Sequence, residues 1–143
     1  MKKAGTYFAV LSRQLNLYLN HELSGDEITA SELLYLFQLY DQDGLTQEQM
    51  SEEVSVDKAA TTRTLQALEK KGMIRRVASK EDRRAKKVFL TQKAKTYEWK
   101  LRKLQAQWLS GISQDMSNDE VRDFMEHLEK MVQRAREMNG EEH

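Results

Sequence analysis

The strongest constraint on the fold is a change of apolar periodicity near the middle of the chain. The run Thr46-Gln47-Glu48-Gln49 is a capping box, whose side chains bond the free backbone N–H groups at a helix start. Asp57 is placed to cap a second helix, which we expect to end at Gly72. Residues 74–77 and 86–90 then form two strands joined by a polar loop. Two short helices followed by a hairpin predict a winged helix-turn-helix.

Helical patterns flank this segment on both sides. Upstream, an apolar stripe begins at Phe8, and a second helix opens at the capping residues Thr29 and Glu32. That second helix is apolar nearly all round, which is typical of a buried central helix. Downstream, Thr91 restarts a helix and Ser117-Asn118-Asp119-Glu120 caps the last one. The predicted fold class is therefore mainly α with a small β-hairpin wing.

The net charge is zero, but the charges are very unevenly distributed along the sequence. Residues 57–95 contain 13 Lys and Arg against 4 Asp and Glu, which gives +9. The rest of the chain holds the other 10 basic residues against 19 acidic ones, which gives −9. An ordinary solvated surface would scatter both signs, so the central segment favours nucleic acid as a partner.

The second short helix has two different faces when it is plotted at 100° per residue. One face is suited to pack on the core and contains Thr61, Thr64, Leu65 and Leu68. The opposite face contains Lys58, Ala59, Thr62, Arg63, Gln66 and Lys70. This outward face has no acidic residue, and it offers the guanidinium, amide and methyl groups that bind base edges in a major groove. A solvated helix would usually interleave Glu with Lys, whereas Glu69 is the only acid here, so we interpret this face as a DNA-recognition surface.

Ordered motifs over about half of the chain resemble the MarR family of bacterial transcription regulators. The motifs are Leu45-Thr46-Gln47-Glu48-Gln49-Met50, Asp57-Lys58, Thr62-Arg63, Leu68-Glu69-Lys70-Lys71-Gly72, Arg75-Arg76, Asp82-Arg83-Arg84-Ala85-Lys86 and Leu90-Thr91. The resemblance implies a homodimer that binds double-stranded DNA at a pseudo-palindromic promoter site. It also implies a repressor that a small molecule releases from DNA.

The resemblance adds the start of the first short helix and the wing to the DNA contacts. It implies that Arg84 enters the minor groove and that Asp82 holds it in place. The complete set of predicted DNA contacts is Thr46, Gln47, Lys58, Ala59, Thr62, Arg63, Gln66, Lys70, Lys80, Asp82, Arg83, Arg84 and Lys86. The sequence departs from the family pattern at Ala59 and Ala60, where Ser or Thr is common. It also carries Ser55 in the turn, where many helix-turn-helix units have Gly.

Apolar stripes at both ends of the chain predict a two-fold dimer interface. The predicted interface residues are Phe8, Leu11, Leu15, Val121, Phe124, Leu128 and Met131. We also expect the two stripes to pack on each other within one chain. An isologous dimer would also set two recognition helices about 34 Å apart, as two half-sites require. We expect one domain, residues 1–143, with a DNA-binding lobe over about 29–91 and dimerisation helices over about 6–24 and 92–139.

An effector cleft between the dimerisation helices and the DNA-binding lobe is a further implication of the resemblance. Four aromatic residues with polar tips and one histidine lie on the helices that would form it: Tyr18, His21, Tyr35, Tyr40 and Trp99. They are candidates for binding a small aromatic or amphipathic effector. The alternative, which is the commoner situation, is that they are core residues with a satisfied hydroxyl or ring nitrogen.

Other functional classes find little support in the sequence. Cysteine is absent, so there is no thiolate nucleophile and no disulfide. His21, His127 and His143 have no metal-ligand spacing, and no Gly-rich phosphate loop is present. We therefore predict no catalytic residue, no metal and no cofactor. The remaining rival is a winged helix whose basic face binds a protein.

The cellular location is predicted from two features of the hydropathy pattern. No apolar run approaches the roughly 20 residues of a membrane helix. The basic start of the chain also leads into an amphipathic pattern rather than a signal peptide's apolar block. We expect a cytoplasmic protein.

Overall fold

The computed structural model describes residues 2–141, and this part of the chain contains six helices and three short strands. The helices are α1 (Ala4–Glu22), α2 (Ala30–Asp41), α3 (Gln47–Glu53), α4 (Lys58–Lys70), α5 (Gln92–Ile112) and α6 (Asn118–Met138). The strands are β1 (Leu45–Thr46), β2 (Ile74–Ala78) and β3 (Lys86–Leu90). The predicted mainly α fold with a hairpin wing is confirmed.

The strands form one antiparallel sheet in the order β1-β3-β2. The sequence predicts the β2–β3 hairpin but not β1, which has only two residues and therefore no visible alternation. Gly44 precedes β1 with a φ of +79°, and its N–H donates to the Val88 carbonyl at 3.0 Å. A side chain at Gly44 would lie 2.9 Å from the Phe89 ring, so glycine lets the chain pass close to β3.

The hydrophobic core lies in the unit that ends at Gln105 and surrounds α2. α2 buries Leu33, Leu36 and Leu39, but Leu34 is 49% exposed, so the predicted burial holds for one side of the helix and not all round. The core also takes in Met50 from α3 and Leu65 from α4. The winged helix-turn-helix is therefore built directly on the buried central helix.

A second unit, which begins at Ala106, contains the end of α5 and all of α6. α6 opens at the capping box of Ser117 and Glu120, in which both reciprocal hydrogen bonds form as predicted. No residue of α6 is buried, and its apolar stripe remains accessible along the helix.

The capping box predicted at Thr29 is only half correct. The Thr29 hydroxyl accepts a hydrogen bond from the Glu32 backbone N–H at 3.3 Å. The Glu32 carboxylate does not return to Thr29, because it accepts from Lys71 Nζ at 2.6 Å instead. Glu32 is buried, so a tertiary ion pair outweighs the local cap at this position.

Candidate nucleic-acid interface

α3 and α4 meet at a short turn that the sequence accommodates without glycine. Ser55 adopts a φ of +52°, in the left-handed region that helix-turn-helix units usually assign to Gly. Ser51 is buried beside the turn and donates from Oγ to the Val56 carbonyl at 2.6 Å. Asp57 then caps α4, accepting from the Ala60 N–H at 2.8 Å. These bonds fix the angle at which α4 leaves the turn.

The inner face of α4 packs on the core, as the helical wheel predicts. Thr61, Leu65 and Leu68 are buried. The Thr61 hydroxyl also makes a buried hydrogen bond of 3.0 Å to the Tyr35 hydroxyl on α2. A buried polar pair of this kind fixes the rotation of α4, because turning the helix would leave both hydroxyls unsatisfied.

The outer face of α4 is accessible over its whole length. Lys58, Ala59, Arg63, Gln66 and Lys70 are exposed, and Thr62 is half-buried. Asp57 at the N-cap and Glu69 are the only acids between residues 57 and 70. The outer face therefore presents donors, methyl groups and positive charge to the solvent.

A groove of about 400 Å³ separates this outer face from the wing and the start of α3. Seven of the predicted DNA contacts line it: Thr46, Gln47, Lys58, Thr62, Gln66, Arg84 and Lys86. The other six do not line it, and they lie on exposed positions of α4 or the wing: Ala59, Arg63, Lys70, Lys80, Asp82 and Arg83. The structure thus brings α3, α4 and the wing to one concave surface.

Six cations of this surface form no ion pair with any residue in the range 2–141: Arg63, Lys70, Lys80, Arg83, Arg84 and Lys86. Among them, Lys86 is near enough to Glu69 to help lower the pKa of that carboxylate. Outside this surface, Lys93, Lys100 and Arg102 pair with carboxylates. Unpaired cations at one surface create the positive potential that attracts a polyanion.

The wing loop is ordered by its own backbone. The Ser79 N–H donates to the Ala85 carbonyl at 2.8 Å, and the Ala85 N–H donates to the Asp82 carbonyl at 3.0 Å. Ser79 is buried, and its hydroxyl accepts from the Glu81 N–H at 3.3 Å. The loop between β2 and β3 is therefore a closed turn rather than a mobile strap.

Asp82 contacts the backbone of Arg84 and not its guanidinium. Asp82 Oδ1 accepts a hydrogen bond from the Arg84 backbone N–H at 2.9 Å. An aspartate satisfies a backbone amide two residues on more readily than it reaches a long, solvated side chain. Asp82 therefore shapes the turn from which Arg84 projects and leaves its guanidinium unbound by residues 2–141.

Four groove residues are absent from the predicted contacts, namely Glu48, Thr61, Arg76 and Ala85, and two of them are charged. Glu48 Oε1 lies 3.5 Å from Lys58 Nζ. Arg76 binds Glu69 through Nη2 at 2.9 Å and through Nε at 3.3 Å. The hydrogen bond from Arg76 holds the pKa of Glu69 below its usual value. In the sequence, the indication of this ion pair is Glu69, the single acidic residue within α4.

Arg76 also connects the wing to α3. Its Nη1 donates to Gln47 Oε1 at 3.2 Å, and Gln47 Nε2 lies 3.5 Å from Thr62 Oγ1. The Thr62 hydroxyl donates in turn to the Lys58 carbonyl at 2.9 Å. One hydrogen-bonded chain therefore crosses the groove from β2 to α4.

The predicted effector residues occupy very different environments. Tyr35 is 3% exposed, and its hydroxyl is bound to Thr61. Tyr40 is half-buried and donates to the Ala94 carbonyl at 2.6 Å, and burial raises its pKa to about 12. His21 and Trp99 are exposed, Trp99 by 73%, and Tyr18 packs at the edge of the core. For Tyr35 and Tyr40, the structure shows the satisfied hydroxyl that the alternative interpretation expects.

The predicted interface residues at the chain ends are accessible. On α1, Phe8 and Leu11 are exposed, and Leu15 packs against the core. On α6, Phe124 and Met131 are exposed, and Val121 and Leu128 are half-buried. Both terminal helices thus keep apolar side chains in contact with solvent.

Neither metal nor membrane features occur in the part of the chain that the structure describes. Within residues 2–141, no three His, Asp or Glu side chains are grouped so that they could hold a metal ion. His143 lies outside the described residues. None of the helices in that range is both long enough and apolar enough to cross a membrane.

Comparison with known proteins agrees with this geometry. The model of the MarR family matches residues 28–86, which include α2 to α4, β2 and the loop of the wing. The uncharacterized HTH-type transcriptional regulator YybA of Bacillus subtilis is 30% identical over 86 residues. That match covers 60% of this chain and 57% of the relative, so it spans little more than half of YybA's length.

Solved structures resemble the chain over nearly its full length. A MarR transcriptional regulator from Methanosarcina mazei superposes with a TM-score of 0.91 at 27% identity, covering 96% of this chain and 99% of that one. A mutant MarR from E. coli complexed with operator DNA gives a TM-score of 0.77 at 26% identity, covering 90% and 92%.

Proposed function

This chain belongs to the MarR family, and from that premise we propose that it is a transcription regulator that binds a pseudo-palindromic promoter site as a homodimer. The observation that carries the proposal is the set of six cations on α4 and the wing that form no ion pair with residues 2–141, two of which line the groove. Phosphates would supply the missing negative charge and release their own counterions.

The outer face of α4 is suited to a major groove. It presents Arg63 and Gln66 one turn apart, and these side chains bind guanine and adenine edges respectively. Lys70 lies farther along the helix and is suited to a phosphate. Arg84 projects from the closed turn of the wing, where a narrow A·T-rich minor groove would attract its guanidinium.

The homodimer is supported by the apolar residues that the terminal helices expose. Phe8 of α1 and Met131 of α6 are about half exposed, at 49% and 50%. Burial of such residues against a second copy is favourable by roughly 25 cal/mol per Å² of apolar surface. We assign residues 29–91 to the DNA-binding lobe, and residues 6–24 and 92–139 to dimerisation.

Repression released by a small aromatic or amphipathic effector completes the proposal. Its support is the family resemblance together with the accessible ring of Trp99, which lies 4.9 Å from Lys103 Nζ. Tyr40 would contribute mainly ring surface, because its hydroxyl is bound to the Ala94 carbonyl, and Tyr35 is buried with its hydroxyl bound to Thr61.

Salt-dependent binding to duplex DNA tests the proposal. Affinity for duplex DNA should fall by about three orders of magnitude or more between roughly 50 and 200 mM salt. Lys70→Ala, which would remove a phosphate contact, should make this dependence shallower, whereas Arg122→Ala, at a paired arginine on α6, should leave it unchanged. Retention that does not respond to salt, or no retention at all, would favour a winged helix that binds a protein.

A further inference from the structure

The hydrogen-bonded chain across the groove determines the orientation of one amide. A guanidinium has five N–H donors and no acceptor. Arg76 Nη1 lies 3.2 Å from the Gln47 amide, so the Gln47 atom that faces it has to be the carbonyl oxygen. The Gln47 NH₂ group is consequently turned away from Arg76, toward Thr62 and the groove.

This orientation limits what Gln47 can bind. A glutamine that is free to turn binds adenine with both amide atoms, because N6–H donates to its oxygen and N7 accepts from its nitrogen. The oxygen of Gln47 is already engaged by Arg76. Its nitrogen carries two hydrogens, and the contact with Thr62 uses one of them. Gln47 therefore presents an N–H donor to a ligand in the groove, while its oxygen is held by Arg76.

Arg76 differs from the unpaired cations around it. Its side chain is only 12% exposed, and the Glu69 carboxylate binds it at two nitrogens. Glu69 also accepts from the Arg76 backbone N–H at 3.2 Å, which fixes the strand as well as the guanidinium. A cation that is neutralised and buried in this way is poorly suited to hold a phosphate.

We propose that Arg76, held by Glu69, is a positioning residue that fixes the Gln47 amide as a hydrogen-bond donor toward DNA. Gln47 then selects an acceptor on the duplex, either a base-edge atom such as guanine O6 or N7, or a phosphate oxygen. This inference rests on the proposed DNA-binding function and adds to it the chemistry of one contact.

The experiment uses the full-length protein and a duplex that the wild type selects from a random library. Arg76→Met removes the donor to Gln47, and Arg75→Met on the same strand is the matched control. Arg75 loses the same charge, but its guanidinium stacks 4.9 Å from the Phe89 ring. Arg76→Met should weaken binding to the selected duplex about tenfold beyond the effect of Arg75→Met.

A double-mutant cycle separates positioning from a general structural role. In a Gln47→Ala background the excess loss caused by Arg76→Met should vanish, because no amide remains to be oriented. If the additional loss of affinity caused by Arg76→Met occurs only on the selected duplex, the acceptor is a base edge. The freed Gln47 should then gain a preference for adenine. If the excess is equal on random DNA, the acceptor is a phosphate.

Gln47→Glu keeps the proposal testable if Arg76→Met folds poorly. Glutamate keeps an acceptor for Arg76 but removes the donor, so binding should fall at least as far as in Gln47→Ala. Any one of three results would overturn the inference. The first is wild-type affinity in Gln47→Glu, and the second is an Arg76→Met variant that binds no more weakly than Arg75→Met. The third is an additional loss of affinity from Arg76→Met that persists in the Gln47→Ala background. A wild type that selects no duplex would instead overturn the proposed function, and this inference with it.

Discussion

Helices α4 and α6 both begin at a side-chain cap and both have one apolar face, yet only one of these faces is covered. α4 has 13 residues and buries three of them, Thr61, Leu65 and Leu68. α6 has 21 residues and buries none. Periodicity therefore identifies an apolar face, but only tertiary contacts decide whether the chain itself covers it. The chain covers the apolar face of α4 by itself and leaves the apolar face of α6 accessible.

The covered face of α4 should be the most sensitive to truncation. Leu65→Ala leaves a cavity in a fully buried site and should lower the free energy of unfolding by about 2–5 kcal/mol. Urea denaturation at two protein concentrations would measure this loss. Gln66→Ala, one position along on the exposed side, should stay within about 0.5 kcal/mol. A small effect at Leu65 would mean that α4 is not anchored as described.

Substitutions on the uncovered apolar face of α6 should change the oligomeric state of the protein. Leu128→Asp would bury a charge in a dimer interface and should weaken dimerisation by about 100-fold or more, which corresponds to about 2.7 kcal/mol. Sedimentation across a dilution series would show the shift to monomer or unfolded protein. Glu126→Gln, on the opposite side of the same helix, is the control. A wild type that is a well-folded monomer at micromolar concentration would remove the distinction between the two helices.

The same distinction explains what the sequence predicts and what it does not. Caps and periodicity predict six helices and the hairpin, because these depend on neighbours within a few residues. β1 escapes prediction since a two-residue strand exists only through its pairing with Val88 and Lys87. The carboxylates of Glu32 and Glu69 likewise bind partners from other elements, Lys71 and Arg76. Cations such as Arg63, by contrast, could be placed on the surface from the helical wheel alone.

Substitutions on the outer face of α4 should weaken DNA binding and leave the free energy of unfolding unchanged. Arg63→Ala or Gln66→Ala should cost about 1–3 kcal/mol at one operator position if the contact is bidentate. Lys70→Ala should weaken operator and random DNA equally, because a phosphate contact has no sequence preference. Affinities for single-base variants of the selected site would measure both effects. Equal losses on operator and random DNA for Arg63→Ala would reassign that residue to the backbone.

Within three residues, the wing contains a side chain that bonds to its own turn and a side chain that has no such bond. Substitutions in the wing should have the smallest effects on stability and binding. Asp82 bonds the Arg84 N–H, whereas the Arg84 guanidinium has no partner among residues 2–141. Arg84→Ala should change stability by no more than about 1 kcal/mol but flatten the preference for A·T pairs beside each half-site. Asp82→Asn keeps an acceptor for the turn, so it should bind better than Asp82→Ala. Tighter binding by Asp82→Ala at every salt concentration would mean that only charge matters in the wing.

Thr46 belongs to two elements, since it pairs with Lys87 in the sheet and its side chain caps α3. β3 cannot slide along β1 without moving the first turn of α3. The start of α3 and the wing are therefore coupled through the backbone of one residue. Coupling of this kind lowers the backbone entropy that these two elements would lose on association with a duplex.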